Sequence, residues 1–379
     1  MKGKQGLVCM GLLLVLSSCS CHTGKQITAS GLQRKDFQTE VNGQHTDLFT
    51  LSNKQGMEVC ITNYGARVVS ILVPDRNGKR EDVVCGFSTI TEYMEQRQNF
   101  GSTVGRYIGR ILNARFTLDG VEYKLVPNNG KSGHISHGGN PGFADRIWKV
   151  EQADTHRVRL SYLSPDGENG FPGNLKVTLV YSLGEDDNAL DLTYEATTDA
   201  PTVLNLSHHS FFNISGNFTK SVEDQQLWVD ADRFTPYDDK KCVTGEYLPV
   251  AGTPLDFRMP HTIGECIDAD HPQLKVVNGY DHTWELNTKG DDTRPAAWVY
   301  DPASGRKMEI FTTEPGMQIY TGNGLKGKMT GKGGIAYPFR SAVCFETMHF
   351  QDSPNQPEFP STVLRPGEVF HSHTVYKFE

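Results

Sequence analysis

The chain reads as an all-β protein, a large β-sandwich. Three observations predict it: β-rich runs, several of them alternating, turn chemistry roughly every 8 to 12 residues, and no long amphipathic helix. The runs at residues 67–73, 157–162, 175–181, 190–195 and 307–312 are rich in Val, Ile, Leu, Thr, Tyr and Phe, which suit a pleated, half-buried surface. Gly, Asn, Asp and Pro bound them. Arg76-Asn-Gly78 and Pro165-Asp-Gly167 are turns with a mechanism, because Asn and Gly accept a positive φ. A turn or two of helix is expected around residues 88–97. Roughly 340 residues exceed a typical domain, yet no linker, repeat or shift of composition divides them. The expectation is one sandwich domain over residues 36–379.

The N-terminus reads as an export signal. Lys2 and Lys4 precede an apolar stretch from Leu7 to Leu16 that is too short to span a bilayer, and Leu16-Ser-Ser-Cys19 follows. That tetrapeptide resembles a bacterial lipobox, so residues 1–18 are expected to be a lipoprotein-type signal peptide and Cys19 the lipidated first residue of the mature chain. An ordinary cleaved signal with a chance cysteine is the alternative. Residues 19–35, polar and without apolar periodicity, are expected to be a flexible tether. The expected location is an exported bacterial lipoprotein, anchored to a membrane and facing the periplasm.

Removing Lys2 and Lys4 with the leader takes the formal charge from −8 to −10. An acidic chain without a Lys/Arg cluster argues against nucleic acid as partner. Beyond Cys9 and Cys19, the cysteines Cys21, Cys60, Cys85, Cys242, Cys266 and Cys344 form no CxxC pair and no compact framework. Cys60, Cys85 and Cys344 lie in apolar runs and read as small core residues.

Two strand-like runs carry chemistry. In residues 201–213 the pleat puts Val203, Asn205, Ser207, His209 and Phe211 on one face and Leu204, Leu206, His208, Ser210 and Phe212 on the other. In residues 341–350 it aligns Glu346 with Ala342, Cys344 and Met348, a face where an ionised carboxylate is costly without partners. A histidine and a poorly solvated carboxylate are the parts of a proton-transfer site. Either run alone also fits satisfied core polar residues.

Further segments carry a resemblance. Asn63-Tyr-Gly-Ala66, Asp82-Val-Val-Cys-Gly-Phe87, Gly105-Arg-Tyr-Ile-Gly-Arg-Ile111, His137-Gly-Gly139 and Ser164-Pro-Asp-Gly-Glu-Asn-Gly-Phe-Pro-Gly173 come first. Asn278-Gly-Tyr-Asp-His282, Tyr320-Thr-Gly-Asn323, Phe345-Glu-Thr347 and Leu364-Arg-Pro-Gly-Glu368 follow. In this order they resemble the aldose 1-epimerase, or galactose mutarotase, family over nearly everything after about residue 36. The resemblance implies a supersandwich fold and interconversion of the α and β anomers of free aldohexoses such as galactose and glucose. It implies Glu346 as base and His209 as acid, with the roles reversed on ring closure; an acid and a base suffice for that chemistry, so no cofactor, metal or nucleotide is expected.

The resemblance further implies sugar contacts from His137, Arg110 and Asp281, and Gln318 and Tyr320 are expected to line the same cleft. Arg110 is preferred to Arg106, which shares its strand face, and is expected to help keep Glu346 ionised. Gly109 departs from the family motif, which carries Asn there. The glycines of His137-Gly-Gly are expected to let backbone and substrate approach closely. His208 is expected to be an outer-face or supporting residue. His134-x-x-His137 lacks a third ligand nearby and is not expected to bind metal; His371 and His373 are expected on a surface or edge strand. The expected partners are a monosaccharide and, through the lipid anchor, a membrane, with the chain a monomer or weak dimer. A sandwich enzyme acting on hexose phosphates or cleaving glycans, and a sugar-binding lipoprotein without chemistry, are the competing readings.

Overall fold

The computed structural model describes residues 26–379. The signal segment and Cys19 lie outside the described residues. Nine antiparallel strands form the larger sheet, in the spatial order Lys149–Ala153, Arg157–Ser164, Leu175–Leu183, Ala189–Thr198, Phe370–Phe378, Lys307–Thr312, Ala297–Tyr300, Gln226–Val229 and His261–Thr262. Alternation drives its burial: in Leu175–Leu183, residues 175, 177, 179, 181 and 183 are all buried.

The opposing layer holds two sheets. One has six strands, ordered Phe211–Phe212, Val343–Met348, Gly316–Tyr320, Asp281–Glu285, Arg233–Thr235 and Leu248–Pro249. The other has four: Leu48–Ser52, Glu58–Thr62, Arg67–Pro74 and Arg80–Asp82. One core cluster runs across both layers, joining Leu179, Leu192 and Ile310 to Val59, Ile71, Met317, Ile319 and Phe345. Polar bonds tie the layers too: the Tyr376 hydroxyl donates to the Phe345 carbonyl at 3.0 Å and the Tyr181 hydroxyl to that of Ala66 at 2.7 Å. The helical candidate forms as Ile90–Gln96, closed by a Thr89–Glu92 capping box.

Two expectations are corrected. Residues 201–213 are three short strands, Thr202–Val203, Ser207–His209 and Phe211–Phe212, each paired with a different partner. Asn205 falls between the first two of them, outside the strand of His209, and its amide binds the backbone of His349. Residues 26–35, read as tether, are docked. Leu32 is buried, the Ala29 and Ser30 N–H groups donate to the Glu58 carboxylate, and Arg34 grips Asp47. Phe370–Phe378 is central in its sheet, between Ala189–Thr198 and Lys307–Thr312, and His371 is exposed and His373 partly exposed on it, the surface placement expected rather than an edge.

Candidate active site

The site lies on the face of the six-stranded sheet turned away from the core. Three neighbouring strands alternate in phase. Residues 282 and 284, 317 and 319, and 343, 345 and 347 face the nine-stranded sheet, while Asp281, Thr283, Gln318, Tyr320, Cys344, Glu346 and Met348 face outward. Register then sets neighbours, since Thr283 is opposite Gln318 and Gln318 opposite Glu346; in the next row Asp281 faces Tyr320 and Tyr320 faces Cys344. Strand pairing thus gathers residues more than sixty positions apart.

His209 enters from Ser207–His209, which pairs with Ser102–Val104 and packs beside Val343–Met348. Its Nε2 lies 3.3 Å from Glu346 Oε1, both side chains being almost inaccessible at 7% and 4% exposure. Its Nδ1 faces Cys344 Sγ at 3.6 Å, and its ring stacks on Phe211. Burial pulls the His209 imidazole well below its ordinary value, with the His137 ring adding to it. Burial pushes the Glu346 carboxyl well above the usual range, and the nearby Asp281 charge pushes it the same way. Both shifts disfavour the charged forms, so a proton is readily exchanged at the two members of the pair. The expectation that Arg110 keeps Glu346 ionised is corrected. The Arg110 charge is felt instead by Asp281 and His137.

Around this pair lies a cleft of about 250 Å³, at the small end of ligand sites, which run from about 300 Å³ upward. It brings together all seven expected site residues: Glu346, His209, His137, Arg110, Asp281, Gln318 and Tyr320. His137 is held in the left-handed region, φ 52°, by its N–H bond to the Gly109 carbonyl, and its ring meets His209 edge to face at 5.5 Å between centroids. Burial first and Arg110 second bring its pKa down to about 4, so it is a neutral hydrogen-bonding group. Asp281 Oδ1 accepts from Gln318 Nε2 at 2.6 Å, and Gln318 Oε1 accepts from the Thr283 hydroxyl at 2.5 Å. Burial raises the Asp281 carboxyl, against the pull of Arg110 and Gln318. The Tyr320 hydroxyl accepts from the Gly324 N–H at 2.6 Å.

The neighbours that competed in sequence separate cleanly. Arg106 is buried away from the cleft, its guanidinium bonded to Ser164 and to the carbonyls of Pro172 and Gly173. His208 points between the sheets, 2.7 Å from Ser210 Oγ and 3.5 Å from the Tyr181 hydroxyl, so it is a core residue rather than an outer-face one. His134 is occupied by the Asn113 N–H at 2.9 Å and Cys242 Sγ at 3.3 Å. Gly138 is required by a backbone approach, not by substrate, since a Cβ there would lie 2.0 Å from the Gly105 carbonyl oxygen. Among the described residues the grouping closest to a metal-ligand set is His209, Cys344 and Glu346. Burial holds the Cys344 thiol well above its ordinary value, so it is neutral.

Sequence reading missed Gln98, Asn99, Ser136 and Gln351, which also line the cleft. Each lies outside the six-stranded sheet that supplies Glu346, Gln318 and Asp281, so its alternation could not have flagged them.

A sandwich that carries a buried imidazole–carboxylate pair at the floor of a small polar cleft belongs to the class of acid–base sites built for small hydroxylated ligands. Residues 47–377 match the family described as aldose 1-epimerase. Galactose mutarotase from Sus scrofa is 39% identical over 330 residues, 87% of this chain and 93% of the relative. Aldose 1-epimerase from Escherichia coli K12 is 36% identical over 339 residues, 89% and 96% of the two chains. The crystal structure of an aldose epimerase homologue from C. elegans superposes with a TM-score of 0.81 at 31% identity, covering 88% of this chain and 99% of that one. This chain belongs to the aldose 1-epimerase family.

Proposed function

We propose that the chain opens and recloses the ring of free aldoses by passing one proton from His209 to the sugar and another from the sugar to Glu346. The family reaction, interconversion of aldose α and β anomers, is its activity, and it is an isomerase. Galactose, the sugar in the name of the mammalian relatives, is the first substrate to test.

The mechanism balances on one proton. Glu346 takes the proton of the C1 hydroxyl, the O–H electrons form the C1 carbonyl, the C1–O5 bond breaks, and O5 takes the proton of His209. Before this step the pair carries its proton on His209; afterwards it carries one on Glu346. Rotation about C1–C2 and the reverse transfers close the ring as the other anomer. The single observation that carries the reading is the His209–Glu346 pair, 3.3 Å apart and buried in a cleft lined by sugar-type hydrogen-bonding groups. Burial raises Glu346 and lowers His209, so Glu346 holds the proton taken from the sugar well and His209 gives its proton to O5 readily.

Asp281, Gln318, Arg110 and His137 supply acceptors and donors for the remaining hydroxyls. Polarimetry or proton NMR on freshly dissolved α-galactose and α-glucose tests the reading. Faster approach to anomeric equilibrium is expected, with no cleavage product; an unchanged rate rejects it.

Cys19 as a lipidated anchor belongs to the same proposal. It is supported by the short apolar stretch ending at Leu-Ser-Ser-Cys19 and by an acidic chain that gains little from an anionic surface, so that attachment would rest on acyl chains. Fractionation of cells expressing the protein and Cys19→Ala tests it. Wild type in the membrane fraction and mutant in the soluble one is expected, and equal solubility rejects the anchor.

A further inference from the structure

We propose that Gln351 is the positioning residue of the sugar-binding wall, and that Gly109 is glycine in order to admit it. The proposal deepens the reading above and rests on it. Gln351 follows the strand Val343–Met348 by three residues, and its side chain turns back into the cleft, where it is buried. Its carboxamide is shared among three elements. Nε2 donates to the Tyr237 hydroxyl at 2.6 Å and to Gln318 Oε1 at 3.3 Å, and Oε1 accepts the Arg110 N–H at 3.3 Å.

The amide orientation is fixed by these partners. A flip would set Oε1 against the Gln318 oxygen and an NH₂ against the Arg110 N–H. Gln318 is fixed in turn: its oxygen takes Gln351 and Thr283, so its nitrogen must face Asp281. One carboxamide thus sets the direction of the acceptor expected to read hydroxyls remote from C1. It also clamps the Gly109–Arg110 peptide. The Gly109 carbonyl holds the His137 N–H at 2.9 Å, the Arg110 N–H is held by Gln351, and the Arg110 carbonyl accepts the Asp352 N–H at 2.8 Å. Arg110, His137 and Gln318–Asp281 are all tied to this one side chain.

Gly109 makes room for it. Its φ is +76°, and a Cβ at this position would lie 2.6 Å from Gln351 Cγ and 3.2 Å from Cδ. Any side chain at 109 and the glutamine at 351 compete for one volume. This accounts for the departure from Asn at 109: the carboxamide enters from position 351 instead.

The test is a double-mutant cycle on mutarotation kinetics and on sugar binding by calorimetry. Gln351→Ala is expected to raise KM and Kd about tenfold with kcat within about threefold, since the Gln318–Asp281 acceptor that Gln351 directs is expected to contact the sugar away from the breaking bond. Gly109→Asn, whose residue tolerates positive φ but collides with Gln351, is expected to raise KM similarly. The double variant Gly109→Asn/Gln351→Ala should recover most of the loss, because the new carboxamide occupies the vacated space. Gln351→Glu keeps the volume and the acceptor but removes both donors, and should raise KM even if the alanine variant folds poorly. Additive losses in the cycle, or a fall in kcat at unchanged KM, would overturn the proposal. Glu346→Gln run alongside separates the two readings: retained turnover there defeats the acid–base assignment, whereas the cycle tests Gln351 alone.

Discussion

Two histidine–carboxylate contacts sit near the same strand, and their imidazoles are shifted in opposite directions. His209 and Glu346 lie 3.3 Å apart and both are nearly inaccessible; His349 Nδ1 and Glu314 Oε2 lie 2.7 Å apart, with the histidine 23% exposed. Burial pulls the His349 imidazole down, but its hydrogen bond and charge attraction to Glu314 outweigh this and leave it raised, as befits an ion pair. At His209 burial wins, and the ring is lowered. The lesson is that residue type does not fix the role. A short, partly solvated contact favours the charged imidazole, whereas a longer, dry one disfavours it and leaves a proton free to exchange with a ligand.

The comparison breaks first at the catalytic pair. Glu346→Gln removes the proton acceptor in a nearly isosteric way, so kcat should fall on the order of 10²- to 10⁴-fold while sugar binding is kept. His209→Asn should cost as much. His208→Asn should instead lower thermal stability with little change in kcat, because His208 bonds Ser210 between the sheets. Equal kinetic damage at 208 and 209 would show that the acid is misassigned.

That contrast between adjacent histidines was legible in sequence. The two-residue period of a strand is local, and it separated His208 from His209 and aligned Glu346 with Cys344 and Met348. What stayed hidden depends on pairing between distant segments. The row Thr283, Gln318, Glu346 exists only once three strands are in register. The reach of Gln351 back to Arg110 and Gln318, the docking of Leu32, and the central place of Phe370–Phe378 are likewise long-range facts. The reach of the Arg110 charge was misread for the same reason. Arg110 is near in motif order, but its charge falls on Asp281 and His137.

A smaller effect is expected at Asp281. It is raised by burial like Glu346, yet it is held by Gln318 rather than by an imidazole, so its part is to accept from sugar hydroxyls away from C1. Asp281→Asn should raise KM about tenfold and leave kcat within a few-fold, read by initial rates of mutarotation across sugar concentrations. An unchanged KM with a collapsed kcat would place Asp281 beside Glu346 in the chemistry.

The smallest effect sharpens the ion-paired side of the comparison. His349→Gln keeps a side-chain donor for Glu314 and removes only the positive charge. A group whose folded pKa is raised contributes stability that is complete below its unfolded value, about 6.5, and fades as pH rises through the folded one. The variant should therefore be less stable than wild type by about 1 kcal/mol at pH 6, the difference between a charged and a neutral hydrogen bond. The gap should shrink as pH rises above 6.5 and wild-type His349 loses its proton. Urea midpoints of the two proteins across a pH series measure this. A gap that is constant with pH would mean that His349 contributes by packing alone, and the contrast with His209 would lose its electrostatic basis.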